Sequence, residues 1–244
     1  MINDIIITCI GIKWLERAYW GSIMKLAIFD FDGTLLTIDT LPALGKEWNR
    51  QQRSRTRYII TLLSIAPVLL LYKAKIMPRE SMKGLAFKRF NRLFNKMTQK
   101  EIEEFFLQSY PALCNMFNIL VVQEIKRAQQ QGFHCVLLSG AYSDLLKIVA
   151  RELGIETVIG AELAYNNGLF DHKGDTPFIN GKSKRSLLLD AFSGEEIDWE
   201  ASRAFGDSYG DVWVMELVGE RVAVNPDPEL LAYAQKNSWQ VITA

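Results

Sequence analysis

The spacing of apolar residues changes character along the chain. Residues 26–31 form a short β-type run that stops at acidic residues and Gly33. Between 41 and 112 apolar residues recur at helical spacing: a basic stretch comes first, then 58–72, 81–94 and 100–110, with Pro42, Pro67, Pro78 and Pro111 as punctuation. From 117 onward the pattern alternates. A helix over 117–131 ends at Gly132, and a buried strand over 133–138 follows. A helix over 142–153 stops at Gly154, and a short strand covers 157–159. Asn167-Gly168 lies between 163–165 and 169–170, the signal of a tight hairpin. Helices over 184–192 and 209–218 then alternate with strands over 201–205 and 221–224, and 227–236 and 239–242 close the chain.

Such alternation predicts an α/β fold, a Rossmann-like doubly wound parallel sheet covered on both faces. The helical stretch interrupts it after the first strand and reads as an inserted α-helical cap. The expected units are an extension over 1–23, a core over 24–40 and 113–244, and a cap over 41–112. The extension has an apolar run over 5–12 but makes a poor signal peptide, because Asp4 replaces the basic start and no small-residue cleavage site follows. Met24 is the expected natural start.

Residues 58–72 contain no charge and are flanked by Arg57 and Lys73. As a helix they span about 22 Å, short of the roughly 30 Å hydrocarbon core, and Pro67 lies in the middle. A buried cap helix, a membrane-surface contact and a membrane span are the three readings, in that order.

Composition narrows the chemistry. The chain has 244 residues, 49% hydrophobic and 23% charged, which excludes disordered and collagen-like classes. Cys9, Cys114 and Cys135 are scattered and suit a reduced, cytoplasmic chain. With only His134 and His172, neither a histidine zinc site nor a Ser-His-Asp triad is expected. Net charge is zero but uneven: residues 46–100 carry 14 Lys and Arg against Glu47 and Glu80. That +12 segment reads either as a solvated helical surface or as a module facing an anion.

Four patterns fall at the carboxyl ends of expected strands, the edge where open parallel sheets bind ligands. Asp30-Phe31-Asp32-Gly33-Thr34 sets two carboxylates together, an arrangement that calls for a hard cation such as Mg²⁺. Leu138-Ser139-Gly140-Ala141 offers a hydroxyl and backbone N–H groups at a helix start, suited to an anion. Gly181-Lys182-Ser183-Lys184 opens a helix with basic residues, and Gly206-Asp207-Ser208-Tyr209-Gly210-Asp211 is a second acidic turn.

In these motifs the sequence resembles the haloacid dehalogenase-like hydrolases. The cap placed between the first two motifs resembles subfamily IB, which includes phosphoserine phosphatases. The resemblance covers 24–244. It implies a phosphatase in which Asp30 attacks phosphorus and Asp32 is the general acid and base. Mg²⁺ is then held by Asp30, the backbone carbonyl of Asp32 and Asp207, with Asp211 a direct or indirect partner. Thr34, Ser139 and Gly140 are implied around the phosphate. Lys184, rather than Lys182, is implied as the charge-offsetting lysine, with Leu187 and Leu188 on its inner face. For phosphoserine, Asp39 would hold the amine and Arg89 or Arg92 the carboxylate. The expected substrate is a small phosphorylated metabolite. The apolar run and basic cap point to the alternative of a phosphorylated lipid headgroup, with the protein peripheral to an anionic membrane. A phosphotransferase or mutase, a dehalogenase and a phospho-accepting receiver domain are the remaining readings; no nucleic-acid partner is expected.

Overall fold

The computed structural model describes residues 23–174 and 176–243, so the expected 1–23 extension lies, apart from Ile23, outside the described residues. The first strand, β1 (Leu26–Phe29), is wholly buried and is followed by four helices: α1 (Thr40–Arg50), α2 (Arg55–Lys73), α3 (Arg79–Phe90) and α4 (Gln99–Cys114). Then come α5 (Ile119–Gln130), β2 (His134–Tyr142), α6 (Ser143–Leu153) and β3 (Thr157–Ala161). A hairpin of β4 (Tyr165–Asn166) and β5 (Leu169–Phe170) precedes α7 (Gly181–Ala191). The chain ends with β6 (Arg203–Gly206), α8 (Val212–Met215), β7 (Glu220–Val224), α9 (Pro228–Lys236) and β8 (Gln240–Ile242).

Six strands pair in parallel in the order β3-β2-β1-β6-β7-β8. The sheet therefore winds outward from β1 to β3, returns to β6 beside β1, and winds out again. The doubly wound α/β fold expected from the alternation is present, and its switch point lies at β1 and β6. Strand periodicity divides the core. Ala27, Phe29, Cys135 and Leu137 enter one hydrophobic cluster, while Leu26, Ile28, Val136 and Leu138 enter another on the opposite face. At the hairpin, Asn167 and Gly168 adopt φ of 50° and 78°, the left-handed pair that a two-residue turn demands.

The helices between β1 and α5 share the sheet's core. Tyr142, at the end of β2, packs against Phe87, Phe94 and Phe106 at centroid distances of 5.0, 5.4 and 5.5 Å. Its hydroxyl donates to Asn91 Oδ1 at 2.7 Å. Trp48 of α1 joins the same cluster through Phe94 and Phe105.

Three local expectations differ from the structure. Pro111 lies inside α4 rather than ending it, whereas Pro67 lies inside α2 as the helix expected over 58–72 implies. Tertiary contact keeps α2 continuous: Thr61 and Val68 are buried, and the Arg89 guanidinium donates to the Ser64 carbonyl next to the turn that Pro67 deprives of a donor. β2 runs on to Tyr142 through an irregular register, so α6 opens at Ser143 and not at the Ser139-Gly140 turn. The helix expected over 209–218 shortens to a 3₁₀ turn and the four residues of α8.

Candidate active site

The chain leaves β1 at Asp30, whose N–H still donates to Phe205 of β6 at 3.0 Å. This fixes the buried Asp30 carboxylate over the switch point. Gly33 turns the loop back with φ of 81°, and its N–H donates to the Leu36 carbonyl at 2.7 Å. A Cβ there would collide with the Asp207 carboxylate, so both the backbone twist and the close approach require glycine. Thr34 is buried in this loop, with no hydrogen-bond partner for its hydroxyl.

Lys184, in the first turn of α7, reaches across with Nζ 2.6 Å from Asp30 Oδ1 and 2.6 Å from Asp211 Oδ1. Burial works against the ammonium, but Asp211 and Asp30 outweigh it and hold Lys184 charged well above the ordinary lysine range. Burial likewise opposes the Asp211 carboxylate. Lys184, together with the Ser208 N–H at 3.1 Å and hydroxyl at 2.9 Å, keeps its pKa below the usual value. Lys182 faces outward, its Nζ 5.1 Å from the Trp213 ring centroid. Leu188 is fully buried beneath Lys184, whereas Leu187 is exposed instead of facing inward.

Asp207, just past β6, completes a group: Asp30, Asp207 and Asp211 each offer an oxygen within 4.8 Å of the others. Three carboxylates face one ammonium. Burial and then repulsion from Asp30 and Asp211 push Asp207 up to about 8, and burial also raises Asp30. Excess negative charge on hard oxygen donors fits a divalent cation.

Asp32 points to the other side of the loop. Its Oδ1 accepts from the Thr40 N–H at 2.8 Å and from the Thr40 hydroxyl. Burial raises its carboxyl to about 7, against the lowering pull of Thr40. Ser139 and Gly140 line the same cavity from the end of β2. Ser139 Oγ accepts from the Ala141 N–H at 3.2 Å, and a Cβ on Gly140 would stand 2.9 Å from the Ile179 carbonyl oxygen.

The cavity above these groups encloses about 610 Å³. Asp39 stands at its mouth, half exposed, with Lys83 Nζ 3.9 Å away. Arg89 is outside the cavity lining and turned toward α2, where it meets the Ser64 carbonyl, and Arg92 is likewise absent from the lining. The cations on α3 that do face the cavity are Arg79 and Lys83. The sequence held a signal for them: Arg79, Lys83, Ala86 and Phe90 share one face by helical spacing, and Ala86 and Phe90 are buried. Arg79 also pairs with Asp227, joining α3 to the loop before α9.

Comparison with known proteins agrees with this geometry. Residues 27–216 match the family model of haloacid dehalogenase-like hydrolases, and the chain belongs to that family. A histidinol-phosphatase of Neisseria meningitidis serogroup C is 26% identical over 232 residues, covering 89% of this chain and 98% of that protein. A phosphoserine phosphatase of Mycobacterium tuberculosis is 28% identical over 105 residues, 43% of this chain. There the match spans about a third of the relative's length (34%). Among solved structures, a Bordetella pertussis Tohama I protein of unknown function superposes with a TM-score of 0.75 at 22% identity, covering 91% of this chain and 99% of that one. A phosphoserine phosphatase bearing a phospho-aspartyl intermediate analogue gives 0.59 at 16% identity, covering 91% and 94%. These superpositions establish the fold.

Proposed function

We propose that the protein is a Mg²⁺-dependent phosphomonoester hydrolase working through an aspartyl-phosphate. The observation that carries this reading is the pairing of two unlike carboxyls on one loop. Asp30 is ion-paired to Lys184, while Asp32 stands apart with a carboxyl near neutrality. In the first step an Asp30 oxygen attacks phosphorus, the ester P–O bond breaks, and Asp32 gives its proton to the departing alkoxide. In the second, Asp32 takes a proton from water as the water oxygen attacks phosphorus. The acyl-phosphate bond breaks, freeing Asp30 and inorganic phosphate. Lys184 holds the Asp30 carboxylate in place and offsets charge gathering on the phosphoryl oxygens. Ser139 and Gly140 border the space for that group, and Thr34 is buried in the nucleophile's loop. Mg²⁺ bound by Asp30, Asp207 and Asp211 would supply further neutralisation of the phosphoryl charge.

A receiver domain that merely stores a phosphoryl group has no use for a proton-transferring carboxyl two residues from the acceptor. Asp32 and the cavity together support turnover. The relatives' names support a phosphorylated amino alcohol: phosphoserine and histidinol phosphate both carry an amine one carbon from the ester-bearing carbon. Asp39 in the cavity lining suits such an ammonium, and Lys83 and Arg79, in place of Arg89, are the α3 cations available to a carboxylate.

Phosphate release from p-nitrophenyl phosphate with Mg²⁺ tests the reading. Turnover that Asp30→Asn abolishes is the expected result, and an Asp30→Asn protein with wild-type rates would overturn it.

A further inference from the structure

The cavity is unusually apolar for a site that binds phosphate. From α2, Tyr58, Leu62, Ile65 and Leu69 form one wall, a row at helical spacing. Phe87, Phe90 and Phe178 line the cavity as well. They share it with the carboxylates and give it an apolar surface for whatever the phosphoryl group is attached to. The space is also far larger than a serine side chain fills. Leu62 and Leu69 remain 45% and 41% exposed, so the apolar wall is open to the outside along α2.

The outer face of the same helix is apolar as well. Ile59, Ile60, Leu63 and Leu70 are 54%, 54%, 68% and 66% exposed, and only Thr61 and Val68 of α2 are buried. Among the described residues this is the one helix long and apolar enough to cross a membrane by length and composition. Its attachments argue against spanning. The Arg57 guanidinium donates to the Leu93 carbonyl at 3.4 Å and that of Arg89 donates to the Ser64 carbonyl, so polar contacts tie one side of the helix to the protein. The opposite side is left as an unpartnered apolar face bracketed by Arg55 at one end and Lys73 and Lys75 at the other. Apolar residues between basic ends match an anionic lipid surface in both polarity and charge. The surrounding segment, at +12, carries the same sign.

We infer that α2 docks on an anionic lipid surface and that the site takes a phosphomonoester with a long-chain alcohol, whose chain lies along the row Tyr58, Leu62, Ile65 and Leu69. The inference rests on the hydrolase reading above and sets a long-chain alcohol in place of the amino alcohol that the relatives' names support. One helix then performs two tasks: its outer face meets the acyl layer, and its inner face receives the chain as the phosphate passes to Asp30.

The test uses the full chain with vesicles of phosphatidylcholine alone or with phosphatidylglycerol, and with ethyl and hexadecyl monophosphate as esters. Binding to the anionic vesicles that fades with salt is expected. Each buried methylene is worth about fourfold in transfer, so kcat/KM for the hexadecyl ester should exceed that for the ethyl ester by well over tenfold. Arg55→Glu with Lys73→Glu should weaken vesicle binding by at least about 25-fold, since each basic residue near such a surface contributes about fivefold. Leu63→Glu with Leu70→Glu should lower hexadecyl ester turnover far more than p-nitrophenyl phosphate turnover, which also reports that the variant is folded. Equal kcat/KM for the two alkyl esters together with no vesicle binding overturns the inference while leaving the hydrolase reading intact. A dimer that Leu63→Glu with Leu70→Glu dissolves, in a protein that ignores vesicles, would assign the face to a second copy and overturn it too. A wild-type protein inert toward every ester brings down both readings.

Discussion

Thr40 holds the Asp32 carboxylate twice, through its N–H at 2.8 Å and through its hydroxyl. Thr40 is the first residue of α1, and the Asp39 side chain makes no capping hydrogen bond. Asp32 therefore does the work of an N-cap from eight residues upstream, and the proposed proton carrier is fastened to the first of the inserted helices.

Thr40→Val removes the hydroxyl donor but keeps the N–H. The hydrogen bond from Thr40 lowers the Asp32 pKa, so its loss lets burial raise that carboxyl further above about 7. A higher pKa leaves less of the base form at neutral pH, so the ascending limb of kcat against pH moves to higher pH. Asp32→Asn should cost about 10²–10⁴ in kcat, the usual range for lost acid–base help, and flatten that limb. Steady-state profiles on p-nitrophenyl phosphate check both.

Lys184→Met leaves Asp30 and Asp211 buried without their shared cation. Breaking a buried pair in this way costs about 3–5 kcal/mol. Chemical denaturation should show this loss, and saturating Mg²⁺ should recover part of it by binding the folded state. Lys182→Met, at a site stacked outside on Trp213, should leave stability nearly unchanged.

Stability without added metal should fall as pH rises. Burial raises Asp32 from 3.8 to about 7 and Asp207 from 3.8 to about 8. Below the unfolded value both states are protonated and nothing is lost. Above it the unfolded chain releases protons that the folded chain keeps, so the unfolded state is favoured progressively until the folded values are passed. The melting temperature in EDTA should decline between about pH 4 and 8, and Asp207→Asn should flatten the decline. Mg²⁺ binding near neutrality should release protons, because its carboxylate ligands must ionise; calorimetry in buffers of different ionisation enthalpy measures this.

Metal identity should matter through size. EDTA should silence turnover and Mg²⁺ restore it, while Ca²⁺, with its larger and looser coordination, should inhibit. Full activity after exhaustive chelation would remove the cation from the mechanism.

The sheet was legible in the sequence because each strand is a short apolar run between glycine or acidic stops, as at 26–31 and 221–224. Lys184 could be separated from Lys182 by the apolar residue one turn further along, Leu188. Other features depend on what a segment meets after folding. Pro111 reads locally as a helix end, yet α4 runs on through it to Cys114. Arg89 and Lys83 are equally basic in sequence; the helical spacing that groups Lys83 with Ala86 and Phe90 hints at the choice, and the packing of α3 against both α2 and the cavity sends one to a carbonyl and the other to the site. The Asp32–Thr40 link joins a loop to a helix start, and neither the strand nor the helix period encodes it.

The aromatic contacts around Tyr142 limit how the site can open. Trp48, Phe94 and Phe106 come from α1, the 3₁₀ turn after α3, and α4, and all sit in the cluster that also buries the sheet. Swinging the four helices away as a rigid body would tear that cluster apart, at a cost of several kcal/mol for each large side chain exposed. Entry needs no such swing, because Leu62 and Leu69 on the cavity wall are 45% and 41% exposed and leave the cavity open along α2. The molecule thus has a side portal with α2 as a fixed jamb, held by Tyr58 and Ile65, which pack against the same cluster.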